Sequence, residues 1–215
     1  HGHTLDDVQA REDELTAAFG AGASLVARYD GEGFYEGDTP TDKVHFGYVD
    51  GISQPRIEGF DNGKPPDSQP LSPAGAFFVG HESQFEGVIF DVPEPIEFTG
   101  NGTYNAFRVL EQDVFAFERF LKDAAAAHDC DPEWIAAKFC GRWRNGNPLP
   151  LDNHGVEAPL PAERRNDYGY FDDMDGSVCP IGSHMRRANP RDAPVAQRAS
   201  AHTRRILRRG MPYGP

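Results

Sequence analysis

The sequence predicts an α+β fold for this chain of 215 residues. Segments with the composition of strands are followed by amphipathic helical segments, without the strict alternation of strand and helix that marks a parallel sheet. Hydrophobic residues make up 38% of the chain and aromatic residues 11%, which supports a packed core and excludes a disordered chain. The chain also has 23 glycines and 18 prolines, so we expect long connecting loops.

The N-terminal part of the sequence predicts one helix followed by two short strands. Thr4 is a suitable N-cap for a helix over 5–19, because acidic residues fill the first turn and apolar residues recur at roughly helical spacing. Residues 24–29 and 44–49 have the apolar composition of strands, and the glycine-containing segment 31–40 between them predicts a loop.

The segment 58–73 is rich in proline, glycine, aspartate and serine, which is typical of a linker. As the best candidate linker, it would separate a first domain over 1–57 from a second domain over 74–215.

Two helices are predicted in the second half of the chain. Residues 112–127 place apolar side chains on one helical face. The second helix begins with Asp131 as N-cap and Pro132 at the first helical position, and Gly141 ends it.

The remaining segments predict short strands, one long loop and a basic helix. Residues 76–79 and 103–110 have strand composition, whereas 144–183 show little periodicity and predict a loop whose length is typical of a functional segment. Residues 196–209 are compatible with a short basic helix.

Charge is unevenly distributed along the chain. The net charge is −13, which argues against nucleic acid as a general partner, and no apolar run approaches the ~18 residues that a membrane span needs. The segment from Arg186 to Arg209, however, contains eight arginines and a single acidic residue, Asp192. This cationic segment favours either a small anionic ligand or a solvated helix face.

Three cysteines cannot form a closed disulfide framework, and none has the C-x-x-C spacing of a thiolate metal site. We expect buried or free thiols at Cys130, Cys140 and Cys179.

The first candidate site is the run from Phe46 to Pro55. It places Asp50 between Gly47 and Gly51, and glycines let a backbone turn sharply and approach a ligand closely. Asp50 is therefore a candidate general base or metal ligand, although an Asp-Gly turn with nothing bound has the same pattern.

The second candidate site places a histidine among arginines. His184 follows a Pro/Gly turn and precedes Arg186, Arg187 and Arg191. Nearby cations disfavour the imidazolium form and so favour the neutral imidazole that binds metals, while arginine forks bind carboxylates. This combination fits haem, which carries one iron and two propionates, but it also fits a buried structural histidine beside a solvated basic loop.

The third candidate site is the run Arg208-Arg209-Gly210-Met211-Pro212-Tyr213-Gly214. It offers a cation to a charged intermediate, or it is simply the end of a basic helix followed by a Gly/Pro stop.

Taken together, the three segments resemble the dye-decolourising peroxidase family of haem enzymes. Gly47-Tyr-Val-Asp-Gly51 is similar to the family's distal G-x-x-D-G motif. The run from His184 through Arg191 is similar to the family's proximal H-x-R-x-x-N-P-R segment. The run around Arg208 is similar to the segment that carries the family's distal arginine. The resemblance implies a pair of ferredoxin-like α+β domains, of the dimeric α/β-barrel type, with haem between them. It also implies that this chain is incomplete at both termini.

The resemblance also implies roles for individual residues. His184 would ligate the iron of haem b, Asp50 would be the distal acid/base, and Arg208 would stabilise cleavage of the O–O bond. Arg191 would contact a haem propionate, and Gly51 would lie in the cofactor pocket. The partners would be hydrogen peroxide and an organic electron donor such as a dye or phenol.

Several alternatives stay open at this point. The chain could be a haem-handling protein without significant turnover, or a module without haem whose arginines bind an anionic partner, and a homo-oligomer is possible. A free aspartate titrates near ~3.9, so an aspartate base predicts an acidic activity optimum. A surface aromatic residue would relay electrons from bulky donors, with candidates Trp134, Trp143, Tyr170 and Tyr213.

Overall fold

The structure, a computed structural model, describes residues 4–60, 69, 71–85, 87–155, 158–193 and 205–213. The chain forms two compact units, one made of residues 1–33 with 211–215 and the other of residues 34–210. Helices and short strands are both present, which confirms the α+β class.

The first unit contains one helix, α1 (Leu5–Phe19), with the predicted bounds. A capping box begins it: the Thr4 hydroxyl accepts the Asp7 N–H at 3.1 Å, and the Asp7 carboxylate accepts the Thr4 N–H at 3.0 Å. Gly20 ends the helix with a φ of 50°. None of the residues of α1 is buried.

The predicted strand at 24–29 is wrong, because this part of the first unit is irregular and has no ladder partner among the described residues. A strand needs a neighbour to satisfy its backbone. Instead, the Arg28 guanidinium donates to Glu12 of α1 at 3.0 Å, and the Glu32 N–H donates to the Pro212 carbonyl at 2.9 Å.

The second unit contains four two-residue strands in two separate pairs. Strands β1 (Tyr35–Glu36) and β2 (Thr39–Pro40) are antiparallel and lie inside the segment predicted as a loop. Strands β3 (Arg56–Ile57) and β4 (Leu71–Ser72) are parallel, with Arg56 opposite Leu71.

Three other strand predictions are wrong. Residues 44–49 form a tight loop that is closed by a bridge between Lys43 and Val49. Residues 76–79 continue from a single 3₁₀ turn, Ala74–Ala76, and 103–110 have no regular structure. The predicted linker 58–73 falls mostly outside the described residues, and the division into domains around it stays a prediction.

The two long helices of the second unit confirm the sequence signals. A short helix, α2 (Ile96–Thr99), precedes α3 (Val114–His128), whose N-cap Asp113 accepts the Ala116 N–H at 2.8 Å. Helix α4 (Pro132–Cys140) begins after Asp131 and ends at Gly141, which has a φ of 95°.

Helices α3 and α4 pack through aromatic rings, since the Phe139 ring of α4 lies 5.8 Å from that of Phe117 and 6.2 Å from that of Phe120 in α3. Leu121, Ala125 and Ala136 are buried. The Phe117 ring lies 4.5 Å from that of Phe46, so this helix pair also supports the 44–49 loop.

The described residues of 144–183 are mainly irregular, as predicted, yet they carry much of the core. Buried side chains from this loop and its neighbours form one cluster, consisting of Ala137, Leu149, Tyr170, Cys179 and Ala193. A five-residue helix that the sequence did not predict, α5 (His184–Ala188), follows the loop. The predicted helix 196–209 lies outside the described residues up to 204, and 205–209 are not helical.

The three cysteines are free, as predicted. No helix within the described ranges is both long and apolar enough to cross a membrane.

Candidate active site

Asp50 lies at the end of a tight loop. The Val44 N–H donates to the Tyr48 carbonyl at 3.0 Å, and the Gly47 N–H donates to the Val44 carbonyl at 2.6 Å. Gly47 has a φ of 80°, a conformation that glycine adopts without a steric cost. The Asp50 N–H then donates to the Asp42 carbonyl at 2.8 Å, which fixes the backbone of the candidate acid.

The same loop is tied to helix α4. The Tyr48 hydroxyl donates to the Ala136 carbonyl at 2.8 Å, and the Val49 N–H donates to the Arg144 carbonyl at 3.0 Å. Burial raises the pKa of Tyr48, so the phenol keeps the proton that makes this bond. Sequence analysis assigned no role to Tyr48, because its partner is a backbone carbonyl 88 residues away.

Arg208 meets Asp50 directly. The Arg208 Nη2 donates to the Asp50 Oδ1, and the two residues are 158 positions apart in the chain. The side chains are 54% and 30% exposed, so the pair is open to solvent. The structure therefore brings together two of the residues that the sequence selected.

Gln54 holds the backbone of Arg208 in place. Its Nε2 donates to the Arg208 carbonyl at 2.6 Å, and its Oε1 accepts the Arg208 N–H at 3.3 Å. Gln54 stands four residues after Asp50, so the segment that supplies the carboxylate also anchors the backbone of Arg208. Gly51, between them in sequence, is exposed and has a φ of 72°.

His184 opens helix α5 with an exposed side chain. Its imidazole makes no hydrogen bond to any of the described residues, so both ring nitrogens are available to a ligand. The described part of the chain contains no cluster of three or more His, Cys, Asp or Glu side chains that could hold a metal ion. No described contact joins His184 to Asp50 or Arg208.

A buried ion pair supports the helix that carries His184. The Arg186 Nη1 donates to Asp173 Oδ2 at 2.9 Å, and both side chains are at least nine-tenths buried. The Asp173 carboxylate also accepts the N–H groups of Val178 and Cys179, at 2.9 and 2.8 Å. Since Arg186 lies two residues after His184 on the opposite, buried side, this pair fixes the helix to the preceding loop.

Arg191 is bound to the loop that precedes helix α5. Its Nη1 donates to the carbonyls of Asn166 and Tyr168, at 2.8 and 3.1 Å, and its guanidinium lies 3.8 Å from the centre of the Tyr168 ring. Arg142, which is 3% exposed, donates to the Asn166 side chain at 2.9 Å. The Nε atoms of both arginines are buried and have no hydrogen-bond partner in the described structure.

The four relay candidates occupy different environments. Trp134 and Trp143 line one cavity of about 400 Å³, and the Trp143 indole donates to the Asp152 carbonyl at 2.6 Å. Tyr170 is 1% exposed, and its hydroxyl has no partner in the described part of the chain. Tyr213 lies in the first unit, with its ring 5.0 Å from that of Tyr29.

The chain is similar to known peroxidases along most of its length. It is 31% identical over 219 residues to Peroxidase 2 of Mycetinis scorodonius, and the match covers 99% of this chain and 41% of that protein. It is 33% identical over 185 residues to a dye-decolorizing peroxidase of Auricularia auricula-judae, covering 79% of this chain and 35% of that protein. The chain thus spans about two-fifths of the length of the curated relatives it matches. No family model matches the sequence.

Solved structures give the same result. A dye-decolorizing peroxidase in complex with 2,6-dimethoxyphenol superposes with a TM-score of 0.79 at 26% identity, covering 99% of this chain and 48% of that one. A dye-decolorizing peroxidase with an engineered heme pocket superposes with the same TM-score at 28% identity and the same coverage.

Proposed function

Because this chain belongs to the dye-decolourising peroxidase family, we propose that it carries the haem-facing residues of a peroxidase. The enzyme would use hydrogen peroxide to oxidise dyes, phenols or similar donors, in keeping with the solved relative that binds 2,6-dimethoxyphenol. The observation that carries this proposal is the contact between Asp50 and Arg208, which joins an acid and a cation from distant segments at a solvent-facing position.

The residues present fit haem in their donor chemistry. His184 presents an exposed imidazole without a hydrogen bond to the described residues, which suits an axial ligand of iron. The sequence has no C-x-x-C-H run for covalent attachment, so we infer the non-covalent haem b. Arg191, whose side chain is partly exposed, is the candidate propionate contact. Gly51 would leave space at the pocket wall, because it carries no side chain.

When bound, haem supplies the redox chemistry of the reaction, in which hydrogen peroxide is the oxidant and the organic donor is oxidised. The protein's own residues then have to move a proton and stabilise charge.

Asp50 is suited to move the proton. Its carboxylate would accept a proton from one oxygen of hydrogen peroxide and donate it to the other, so that the departing oxygen leaves as water. A positioned acid/base of this kind contributes roughly 10²–10⁴ to the rate.

Arg208 is suited to stabilise the charge that develops as the O–O bond breaks. A guanidinium has five N–H donors, and the bond from Nη2 to Asp50 leaves others for the substrate. Removing one such preorganised donor typically costs about 10²–10³ in rate. Gln54 would keep the guanidinium near the carboxylate by holding the Arg208 backbone.

Haem titration of this chain tests the cofactor assignment. We expect a Soret band with the wild type, its loss or a strong shift in His184→Ala, and no change in His128→Ala, which alters an exposed histidine at the end of α3. A Soret band that is the same in all three proteins would contradict the role of His184. A wild type that gives no Soret band would favour the module without haem.

A dye-oxidation assay separates the peroxidase from a haem-handling protein. Asp50→Asn should abolish peroxide-dependent oxidation and leave the Soret band intact, because asparagine cannot carry the proton. A haem-handling protein predicts equally low turnover in the wild type and in the variant.

The family's pair of ferredoxin-like domains, with 1–57 in the first and 74–215 in the second and haem between them, stays a prediction. The same is true of a homo-oligomer.

A further inference from the structure

Arg144 lies between the two long helices of the second unit. Its Nη2 donates to the Glu118 carboxylate of α3 at 2.6 Å, and its Nη1 lies 3.6 Å from the Glu133 carboxylate of α4. The Arg144 side chain is 22% exposed. A largely buried guanidinium is costly unless it is paired, so these two carboxylates fix both its position and its orientation.

The same residue supports the loop that carries Asp50. Its carbonyl accepts the Val49 N–H at 3.0 Å, one residue before Asp50. Its guanidinium lies 5.7 Å from the centre of the Tyr48 ring. A Cβ atom at Gly47 would lie 3.3 Å from Arg144 Cδ and 3.4 Å from its Nη1, so the Gly47 backbone rests directly on this side chain.

Three consecutive loop residues therefore rest on one arginine that is itself held by two helices. A catalytic carboxylate has to be held within about 0.5 Å of its productive position, and a misplacement of about 1 Å can cost 10² in rate. The Asp50 carboxylate has one described side-chain partner, the exposed Arg208. The position of the carboxylate therefore depends on the backbone of the loop 44–50.

We propose that Arg144 is a positioning residue for Asp50, which transmits the rigidity of helices α3 and α4 to the loop 44–50. This inference rests on the proposed role of Asp50 in the reaction.

Hydrogen exchange of backbone amides tests the proposal without haem. The N–H groups of Val49 and Asp50 are bonded in the closed loop and exchange only when it opens. We expect Arg144→Gln to speed exchange at both positions by at least about tenfold, while the Leu121 amide in α3 changes much less. The matched control is Arg119→Gln, which removes the same charge from an exposed position beside Glu118.

A second variant keeps the test decisive if Arg144→Gln unfolds. Glu118→Gln removes the closer of the two partners and leaves the arginine in place, so we expect faster exchange at the same two amides by a smaller factor. In the double variant, Glu118→Gln should add little to the faster exchange caused by Arg144→Gln, because both changes break the same ion pair. Exchange at Val49 and Asp50 within about twofold of the wild type in both single variants would overturn the proposal, as would an equal rise at Leu121.

Turnover gives an independent measurement in the haem-loaded protein. Arg144→Gln should lower kcat by up to about 10² while haem affinity by Soret titration and the KM for the dye change little. A loss of haem affinity with unchanged kcat would contradict the proposal. If the wild type has no peroxide activity, the proposed function fails, but the exchange measurement still decides whether Arg144 holds the loop.

Discussion

At the scale of single residues, buried arginines are stabilised in two different ways. Arg186 is paired with the Asp173 carboxylate. Arg142 instead donates to carbonyl oxygens of Gly146 and Arg165, at 2.9 and 2.8 Å, and to the Asn166 side chain. Burial lowers the pKa of Arg142, because these neutral dipoles replace only part of the water that it loses.

The Arg186–Asp173 pair yields a prediction about stability. Arg186→Gln leaves a buried carboxylate without its counter-charge, so we expect the free energy of unfolding to fall by about 3–5 kcal/mol. Urea denaturation measures this change. Arg187→Gln alters the next residue, which is exposed, and should change stability by less than about 0.5 kcal/mol. Similar losses in the two variants would show that the ion pair has no special role.

The Cys179 thiol predicts a dependence of stability on pH. Its pKa is raised above the ordinary 9.0 mainly by burial. Above pH 9 the unfolded chain therefore loses this proton while the folded chain keeps it, and stability falls as pH rises. The contribution of one group is at most about 1.4 kcal/mol per pH unit.

The measurement is the difference in unfolding free energy between wild type and Cys179→Ala at pH 7 and pH 10. Taking this difference removes the contributions of titrating groups that do not interact with Cys179. We expect the advantage of the wild type to shrink at pH 10. A constant difference would show that the folded thiol ionises freely.

The candidate site residues that sequence analysis identified share one property. Each was selected because its side chain has the chemistry that the proposed role requires. Asp50 and Arg208 stand in recognisable motifs, and the structure places them in contact. Gln54 and Tyr48 were missed because they act on the backbone carbonyls of distant residues. Every residue has a backbone carbonyl, so the sequence pattern does not show which carbonyl each of these side chains binds.

At the scale of elements, the three long helices were predictable, whereas the short helices and the strands were not. Helices α1, α3 and α4 begin at capping residues and follow a local apolar period, so their information lies within each segment. A strand also depends on a partner that is distant in sequence. Residues 24–29 and 103–110 have strand composition but no partner among the described residues, and the structure leaves them irregular.

The C-terminal cap of α4 yields a prediction at this scale. Gly141 has a φ of 95°, and a Cβ atom there would lie 2.9 Å from Met185 Cβ and 3.1 Å from Ser183 Oγ. Gly141→Ala combines a strained backbone with overpacking, so we expect stability to fall by about 2–4 kcal/mol. Because both contacts flank His184, haem binding should weaken too.

Gly182→Ala is the matched control for this cap. It adds the same methyl group two residues before His184, where nothing lies within 4 Å of the new atom. Thermal unfolding and haem titration should leave it close to wild type. A Gly141→Ala protein as stable as Gly182→Ala would show that the cap and its contacts adjust freely.

At the scale of the whole molecule, many large apolar side chains remain at the surface. In the first unit Leu5 is 79% exposed and Val26 is 94% exposed, and in the second unit Phe115 is 91% and Tyr104 is 81% exposed. Exposed apolar patches favour binding to other polypeptide surfaces. The net charge of −13 opposes association between copies of the chain.

These two forces predict that salt promotes self-association of this chain. Raising the ionic strength from about 0.01 M to about 1 M shortens the Debye length from ~30 Å to ~3 Å, which screens the repulsion and leaves the apolar attraction. We expect sedimentation velocity to show a larger average mass at high salt. Phe115→Ser should reduce that association and change stability by less than about 0.5 kcal/mol, because the ring is almost fully exposed. Leu121→Ser, at a position with no exposed surface, should instead unfold the protein. A mass that falls as salt is added would mean that ion pairs, rather than apolar contacts, join the copies.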